Sequence, residues 1–363
     1  MLELKGKYGK DCKVFIDNVE EAALSTIYSI LDDEVSANVP VRIMPDTHEG
    51  VDIVIGFTMP ISDRVNPNHI GVDIGCGVTC GRIPKMSMSL AEIDERIRAA
   101  IPMGFAHRSS LHPFASENSA MEALATKIGQ DPQNVYRQLG TLGGGNHFIE
   151  IGEADGDWYI FIHTGSRNFG LQVCKYHAAK AKANGSKYLF GNDMKEYFDD
   201  MIVAQRFAGQ NRCAIVASIM GALGITGEYV CDTTHNYIDF TRNIIRKGAV
   251  RAEADETLVI PMNMRDGVLL CKGKGNTDWN YSAPHGAGRV LSRAQAKRQL
   301  DMAEFERQME GIYSTSVCDS TLDESPMAYK DMQTIIDCIG DTVEVVKVVK
   351  PILNINCLLY TSP

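Results

Sequence analysis

The sequence contains no apolar stretch long enough to cross a membrane. Its longest apolar segment, residues 213–225, contains Ser218, Gly221 and Gly224, and it is shorter than the ~20 residues that a membrane-spanning helix needs. The N-terminal residues MLELKGKYGKDCKVF lack the apolar core of ~7–15 residues that marks a secretory signal peptide. We therefore expect a soluble protein of the cytoplasm with no membrane association.

Paired cysteines are absent as well. None of the 10 cysteines belongs to a Cys-x-x-Cys pair, so a structural zinc ribbon or zinc finger is not expected. In a long intracellular chain, scattered cysteines indicate reduced thiols, of which one or two are candidates for metal ligands.

An excess of positive charge is also missing. The net charge is −10, which argues against a surface coated with lysine and arginine for nonspecific binding of nucleic acid. A local basic groove is still compatible with this charge. The apolar and charged fractions, 44% and 23%, are those of a globular protein rather than a disordered one.

Linkers, internal repeats and low-complexity segments are not found. A length of 363 residues is enough for two domains, but no composition change marks a boundary between them. We therefore predict one large domain.

Several common nucleotide and metal motifs are missing. The chain has neither the GxxxxGK[ST] phosphate-binding loop, nor HExxH, nor a GxGxxG that opens a helix after a strand. Nucleotidyl transferases that use lysine typically carry KxDG, and the nearest text is MRDG at residues 264–267. A covalent nucleotide adduct would therefore require a nucleophile other than lysine.

Apolar spacing predicts both helices and strands. Helices are predicted over residues 18–31, 89–100, 193–223 with a break near Gly209, 292–310, and 331–349 ending before Pro351. Strands are predicted over residues 41–44, 53–57 and 157–163, with a hairpin formed by 258–264 and 268–271. Strict alternation of strands and helices is missing, so the pattern predicts an α+β fold rather than a doubly wound parallel sheet.

Residues that bind metals collect beside turns. His147, His163 and His285 lie next to glycine-rich turns and His235 precedes an asparagine, while Asp73 and Cys76 stand three residues apart among glycines. Glycine permits close approach of the backbone to a ligand, and His, Cys and Asp bind borderline divalent metals. Each segment alone is more often structural. Their coincidence favours a metal site, although spacing alone leaves ordinary structural histidines open.

Longer segments extend this pattern. In chain order they are MPDTHEG (44–50), GVDIGCGV (71–78), GTLGGGNHFIEIG (140–152), FIHTGSRNFG (161–170), HNYID (235–239), RKGAVRA (246–252), VIPMNMRDG (259–267), SAPHGAGRVLSR (282–293) and SPMAYKD (325–331). Together they resemble the RtcB-type RNA-splicing ligase family, in the order that the family shows.

The resemblance implies a fold. Residues 1–355 would form a single large α+β domain, with mixed β-sheets around a cleft for two metal ions and a nucleotide and with helices at the periphery. Residues 356–363 do not resemble the family's ending, and they are predicted to be a nonconforming C-terminal tail.

The resemblance also implies roles for individual residues. The ligands of two Mn²⁺ ions would be Asp73, Cys76, His147, His163 and His235, with Cys76 bridging both ions. His285 would be the catalytic nucleophile that becomes linked to GMP. The residues that would bind GTP are Asn146, Glu150, Asn236, Gly286, Ala287, Gly288, Arg289 and Tyr329. Arg167, which follows His163 in the same turn, is a candidate for contact with an RNA phosphate.

The implied activity is GTP-dependent joining of RNA. A 3′-phosphate or 2′,3′-cyclic phosphate end would be joined to a 5′-hydroxyl end in tRNA splicing or RNA repair, with archease as a candidate partner protein. Three alternatives stay open: a dinuclear metal-dependent phosphoesterase acting on RNA ends, capping of DNA 3′-phosphates with GMP, and RNA-end binding without catalysis. His285 within HGAGR separates the first alternative from a ligase, because a hydrolase does not need this histidine.

Overall fold

A computed structural model describes residues 1–357 of the chain. Residues 358–363, which make up most of the predicted C-terminal tail, lie outside the described residues. Asn356 is still part of the last strand, and the domain boundary at residue 355 stays a prediction.

The strands of the described residues are mostly short. They are β1 (Leu2–Leu4), β2 (Cys12–Val14), β3 (Val41–His48), β4 (Ile55–Pro60), β5 (Arg64–Val65), β6 (Gly77–Ile83), β7 (Phe148–Ala154), β8 (Asp157–Thr164), β9 (Leu189–Phe190), β10 (Glu228–Thr234), β11 (Asn236–Asp239), β12 (Ile244–Lys247), β13 (Ala249–Arg251), β14 (Thr257–Asn263), β15 (Gly267–Gly273), β16 (Ser282–Pro284) and β17 (Val343–Asn356).

The α-helices vary widely in length. They are α1 (Glu21–Leu31), α2 (Leu90–Ala100), α3 (Ser119–Lys127), α4 (Pro132–Arg137), α5 (Arg167–Ala183), α6 (Gly191–Leu223), α7 (Arg293–Gln299), α8 (Met302–Gln308) and α9 (Met332–Ile339). Within residues 1–357, none of the helices combines the length and the apolar character that crossing a membrane requires.

Two large sheets organise the fold. One has 6 strands in the order β1-β2-β3-β4-β12-β11, and the other has 7 strands in the order β10-β6-β8-β7-β17-β15-β14. The pair β2–β3 is parallel, whereas the central strands β6, β8 and β7 are antiparallel. The α+β class predicted from the sequence, with mixed sheets, is therefore confirmed.

The alternation of apolar residues along β7 and β8 explains how the larger sheet is buried. Ile149 faces Ile162 and Ile151 faces Ile160 across the two strands, and all four side chains are fully buried. Side chains two residues apart project from the same face of a strand, so these isoleucines form one apolar surface. Helices α2 and α6 contribute residues to the same apolar cluster.

Several local predictions from the sequence are confirmed. Ser89 caps α2 by accepting a hydrogen bond from Glu92 N, and β8 covers the predicted strand at 157–163. The predicted hairpin is formed by β14 and β15. Local sequence determines these elements, because caps, turns and short alternations depend on neighbouring residues.

Two long helices were predicted incorrectly in detail. Helix α6 continues through Gly209 without a break, because buried residues on both sides of it, including Phe207 and Arg212, outweigh the ~1 kcal/mol cost of a helical glycine. The predicted helix 292–310 is divided into α7 and α8. Leu300 adopts an extended conformation between them, and Phe305 of α8 is buried in a small apolar cluster.

The prediction of a helix over 331–349 is wrong. Only α9 is helical there, and the chain then becomes β17, which pairs with both β15 and β7. The β-branched run from Val343 to Val349 suits a strand between two neighbours. Pro351 does not end the element; it lies beside a register shift in the pairing with β7, where a missing amide hydrogen is tolerated.

Candidate active site

One edge of the larger sheet gathers most of the candidate ligands. In the strand order β10-β6-β8-β7, Thr234 pairs with Gly77, Val78 with His163, and Phe148 with His163. Cys76, His147 and His235 each directly adjoin one of these strand ends. The register therefore brings together four side chains that are far apart in the sequence.

The ligand atoms form two groups that share one thiol. Cys76, His163 and His235 make one group, and Asp73, Cys76 and His147 make the other, with ligand atoms within 4.8 Å of one another in each group. Cys76 Sγ lies 3.2 Å from His163 Nε2 and 3.5 Å from His147 Nε2. His163 Nε2 and His235 Nε2 are 3.3 Å apart.

The hydrogen bonds around the histidines favour lone pairs directed into these groups. His163 Nδ1 lies 3.0 Å from the carbonyl oxygen of Asn146, which places the ring proton on Nδ1 and leaves Nε2 free as a ligand. Burial lowers the pKa of His163 to about 3 and that of His235 well below its ordinary value. Both rings are therefore neutral, as metal binding requires.

The pKa values of the two acidic ligands, Cys76 and Asp73, shift in opposite directions. Burial, reinforced by Asp73, raises the pKa of the Cys76 thiol, so a thiolate at this position needs a nearby cation. Burial opposes ionisation of Asp73, but His147 lies 2.8 Å away and lowers the pKa of Asp73 to about 2. One thiol, three imidazoles and one carboxylate are a donor set that fits divalent transition metals.

His285 lies beside this cluster and is held by an aspartate. The rings of His285 and His235 have centroids 4.8 Å apart. Asp46 Oδ2 accepts hydrogen bonds from His285 Nδ1 at 2.6 Å and from the His285 amide at 3.1 Å. Asp46 is fully buried at the end of β3. Gly288 packs onto the Asp46 backbone with φ of +74°, where a side chain would collide.

A cavity opens from the His163–His235 side of the cluster. Its empty volume is about 780 Å³, with the open solvent at its mouth included. The candidate residues that line it are His163, His235, His285, Asn146, Glu150, Gly286, Ala287, Gly288, Arg289 and Tyr329.

A buried glutamate, Glu150, lines the cavity. Burial raises the pKa of Glu150 to about 8, and Asn354 of β17 donates a hydrogen bond to Glu150 Oε2 at 2.9 Å. The other carboxylate oxygen is buried with no hydrogen-bond partner among residues 1–357. This oxygen can accept a hydrogen bond from a ligand.

Tyr329 and Arg289 are positioned by acidic residues in the cavity wall. Arg289 Nη1 donates to the Tyr329 hydroxyl at 3.2 Å, and that hydroxyl donates to Glu324. The Arg289 guanidinium also lies 5.0 Å from the centre of the Tyr329 ring. The phenol and the guanidinium are therefore fixed against each other beside the HGAGR turn.

Comparison with known proteins agrees with this geometry. The family model described as tRNA-splicing ligase RtcB matches residues 35–357. The chain belongs to the RtcB family.

Named relatives in the family align over most of their own length. The RNA-splicing ligase RtcB of Escherichia coli K12 is 32% identical over 367 aligned positions, which cover 87% of this chain and 90% of the relative. The RNA-splicing ligase RtcB2 of Escherichia coli ATCC 25922 is 30% identical, with 82% of each chain covered. The tRNA-splicing ligase RtcB of Aeropyrum pernix is 27% identical, with 81% and 82% covered.

Two residues that the family resemblance singled out lie away from the cavity wall. Asn236 begins β11, and its side-chain oxygen accepts a hydrogen bond from the Gly248 amide at 3.0 Å. Arg167 begins α5 and donates to Gly104 O at 2.8 Å and to Thr141 Oγ1 at 3.3 Å. Arg167 is instead near the second ligand group, where it interacts electrostatically with Asp73.

Several residues that contact His285 or line the cavity were not predicted from the sequence. Asp46 lies in the MPDTHEG segment, but nothing in that segment indicated a contact with a residue more than 200 positions later. Asn354 and Asn356 also line the cavity, because β17 lies next to β7. The signal that would have found them is strand periodicity after Thr342, which we interpreted as a helix.

Proposed function

We propose that this RtcB-family protein is an RNA ligase that uses GTP and two divalent metal ions. It joins an RNA 3′-phosphate or 2′,3′-cyclic phosphate end to a 5′-hydroxyl end, through a covalent link between His285 and GMP. The observation that carries this proposal is the position of His285, fixed by Asp46, between the shared-thiol cluster and the cavity. The names of the relatives, RNA-splicing and tRNA-splicing ligases, support it.

Two Mn²⁺ ions are the metals that we propose. Their ligands would be Asp73, Cys76, His147, His163 and His235, with Cys76 shared between both ions. When bound, the ions would neutralise phosphate charge and activate oxygen nucleophiles. The Asp73 carboxylate and the substrate oxygens favour a harder ion than thiolate and imidazole alone would select.

His285 would act as the nucleophile of the first step. Because Nδ1 donates its proton to Asp46, the lone pair on Nε2 is available to attack the α-phosphorus of GTP. A nitrogen–phosphorus bond forms and pyrophosphate leaves. The buried Asp46 carboxylate stabilises the positive charge that develops on the ring during the attack.

Two further transfers would complete the reaction. An oxygen of the RNA 3′-phosphate attacks the phosphorus of the histidine-linked GMP, and the nitrogen–phosphorus bond breaks. The 5′-hydroxyl then loses its proton and attacks the RNA 3′-phosphorus, so that a phosphodiester forms and GMP leaves. A cyclic phosphate must first be opened by water.

Glu150 supports guanine as the base that the cavity accepts. Guanine presents adjacent N–H donors at N1 and N2, whereas adenine presents an acceptor at N1. Burial raises the pKa of Glu150 to about 8 in the protein alone, and with guanine bound the ionised carboxylate would accept these two donors. One would bond to the oxygen without a partner and the other to the oxygen that also binds Asn354. Adenine offers only one donor on this edge, at N6, and its N1 lone pair would face a carboxylate oxygen, which is costly.

Protein guanylylation tests the proposal. Purified protein is incubated with α-labelled GTP and Mn²⁺ and denatured, and we expect an acid-labile, alkali-stable label on the chain that His285→Ala abolishes. His112→Gln is the matched control, because the His112 ring hydrogen-bonds to Ser218 and to the Phe114 amide and does not line the cavity. RNA carrying a 3′-phosphate and a 5′-hydroxyl should then be joined.

A second arm distinguishes the alternatives. Absence of label, with several metals and with archease added, would contradict the ligase and favour a metal-dependent phosphoesterase, which would release phosphate or open cyclic phosphates without GTP. Label that passes to DNA 3′-phosphates but not to RNA would favour DNA capping. RNA-end binding without any turnover would favour a non-catalytic role.

A further inference from the structure

A turn that Arg167 contacts carries an exposed aromatic side chain. We call residues 102–108 the Phe105 turn. Three backbone hydrogen bonds fix it to residues 137–143: Leu142 N to Pro102 O at 2.9 Å, Gly104 N to Gly143 O at 3.0 Å, and Arg108 N to Arg137 O at 3.0 Å. Phe105 is nevertheless 66% exposed. The backbone holds the ring in solvent although the ring buries little surface there.

Three arginines surround this turn, and two of them, Arg108 and Arg137, form no salt bridge within residues 1–357. Arg108 donates to the carbonyl oxygen of Gly140, and Arg167 donates to Gly104 O and to Thr141 Oγ1, all neutral acceptors. Arg137 is exposed in the last turn of α4. In a chain with net charge −10, Arg108 and Arg137 beside an exposed ring form a local cationic surface, which suits an anionic, base-carrying strand.

The turn and the cavity lie on different sides of the ligand cluster. His163 and His235, from one ligand group, line the cavity. Asp73 and His147, from the other group, lie toward Arg167, which interacts electrostatically with Asp73 and contacts the turn through Gly104. The Phe105 turn therefore adjoins the group of Asp73 and His147 through Arg167, whereas the cavity adjoins the group of His163 and His235.

This placement matters for the final step of the proposed reaction. When the 5′-hydroxyl attacks the RNA 3′-phosphorus, GMP leaves, and the attacking and leaving oxygens must lie roughly in line on opposite sides of phosphorus. GMP occupies the cavity side in the proposed function. The 5′-hydroxyl strand must then approach from the opposite side, where the Phe105 turn lies.

We propose that the Phe105 turn is the docking platform for the RNA strand that carries the 5′-hydroxyl end. Phe105 stacks on a base of that strand, and Arg108 and Arg137 contact its backbone phosphates. This inference rests on the proposed function, and it adds the side from which one of the two substrates enters. Because stacking and phosphate contacts do not read base identity, the platform binds 5′-hydroxyl strands of differing sequence.

Two-strand ligation measured with separate oligonucleotides tests this inference. The protein is first guanylylated and allowed to cap a 3′-phosphate strand, and the 5′-hydroxyl strand is then varied in concentration. We expect Phe105→Ala to raise the half-saturating concentration of the 5′-hydroxyl strand by about 5- to 20-fold, the effect of losing one base stack. Phe105→Trp should restore it.

A second readout does not depend on turnover. A 5′-hydroxyl RNA with 2-aminopurine near its 5′ end should lose fluorescence on binding to the wild type and not to Phe105→Ala. The logarithm of the binding constant falls linearly with the logarithm of the salt concentration. Arg108→Ala should make this slope shallower by about 0.7, which corresponds to the loss of one phosphate contact on a single strand. Tyr28→Ala, which removes an exposed ring on α1, is the matched control and should match the wild type.

The outcomes separate this inference from the proposed function. Suppose that the wild type ligates and that Phe105→Ala has the same half-saturating concentration of the 5′-hydroxyl strand and the same loss of 2-aminopurine fluorescence. This result would overturn the platform and leave the ligase proposal intact. If Phe105→Ala weakens capping of the 3′-phosphate strand as much as it raises the half-saturating concentration of the 5′-hydroxyl strand, the assignment of the platform to the 5′-hydroxyl strand would be overturned. Failure of the wild type to become guanylylated would overturn both.

Discussion

Asp46 Oδ2 accepts both the ring Nδ1–H of His285, at 2.6 Å, and the backbone amide of the same residue, at 3.1 Å. One buried carboxylate oxygen therefore fixes the tautomer, the ring orientation and the backbone position of the proposed nucleophile. Lys330 donates to the carbonyl oxygens of Pro45 and Thr47, on either side of Asp46. The end of β3 is thus held in place independently of His285.

The first prediction concerns Asp46→Asn. The neutral amide cannot stabilise a developing imidazolium and can present a donor to Nδ1, so single-turnover guanylylation should fall by about 10²- to 10⁴-fold. The measurement is the rate of label transfer from α-labelled GTP. Asp52→Asn, an exposed aspartate near the same strand, is the control. A rate for Asp46→Asn within threefold of wild type would contradict the orienting role.

The second prediction concerns metal stoichiometry. Because Cys76 belongs to both ligand groups, Cys76→Ala should lose nearly all bound Mn²⁺. His147→Ala and His235→Ala should each weaken one ion and retain the other. Bound metal is measured by elemental analysis after desalting, and by titration calorimetry. Cys213→Ala, which removes an exposed thiol, is the control and should bind as much Mn²⁺ as the wild type. Equal losses of Mn²⁺ in all three ligand variants would argue against two ligand groups.

The third prediction concerns pH and Glu150. Between pH 4.5 and about 8, unfolded Glu150 is ionised while folded Glu150 keeps its proton, so the folded state binds more protons and stability falls as pH rises. Glu150→Gln removes this pH-dependent contribution to the free energy of unfolding. In metal-free protein, the variant should therefore gain stability over wild type from pH 5 to pH 8, by roughly 2–4 kcal/mol.

Urea unfolding at the two pH values measures this difference. Glu344→Gln, at an exposed position on β17, should show a constant difference from the wild type. A constant difference for Glu150→Gln as well would mean that Glu150 is already ionised in the folded cavity.

The fourth prediction compares two arginines of one hairpin. Arg246 is fully buried and pairs with buried Asp239 at 2.7 Å, whereas Arg242 pairs with Glu253 at the surface. Arg246→Met leaves a buried carboxylate unpaired and should cost about 3–5 kcal/mol of unfolding free energy. Arg242→Met should cost less than about 1 kcal/mol. Denaturant unfolding of both variants checks the contrast, and equal losses would contradict it.

Much of the local structure was predictable from the sequence. Ser89 and Glu92 predicted the start of α2, and residues 265–267 predicted the turn between β14 and β15. The glycine-flanked Asp73, Cys76 and histidine segments indicated metal chemistry before any fold was known. These features depend on residues close together in the chain, so local patterns are sufficient to reveal them.

Longer elements were predicted less well where tertiary contacts outweighed local preference. Gly209 does not interrupt α6, because buried neighbours hold the helix together. The run after Val343 has apolar residues at spacings compatible with a helix, but its position between β7 and β15 supplies hydrogen bonds on both edges. That choice depends on partners at least 70 residues away in the chain on β15. The partners on β7 are more distant still.

The sequence by itself determined which residue types are present for chemistry, the family segments and most turns and caps. Only the tertiary structure decided that residues 76, 147, 163 and 235 meet at one sheet edge, that Asp46 holds His285, and that Asn354 reaches Glu150. Each of these contacts depends on strand register or on packing between distant segments. Local periodicity carries no information about such pairing, because the hydrogen bonds and buried surface that fix it exist only in the folded chain.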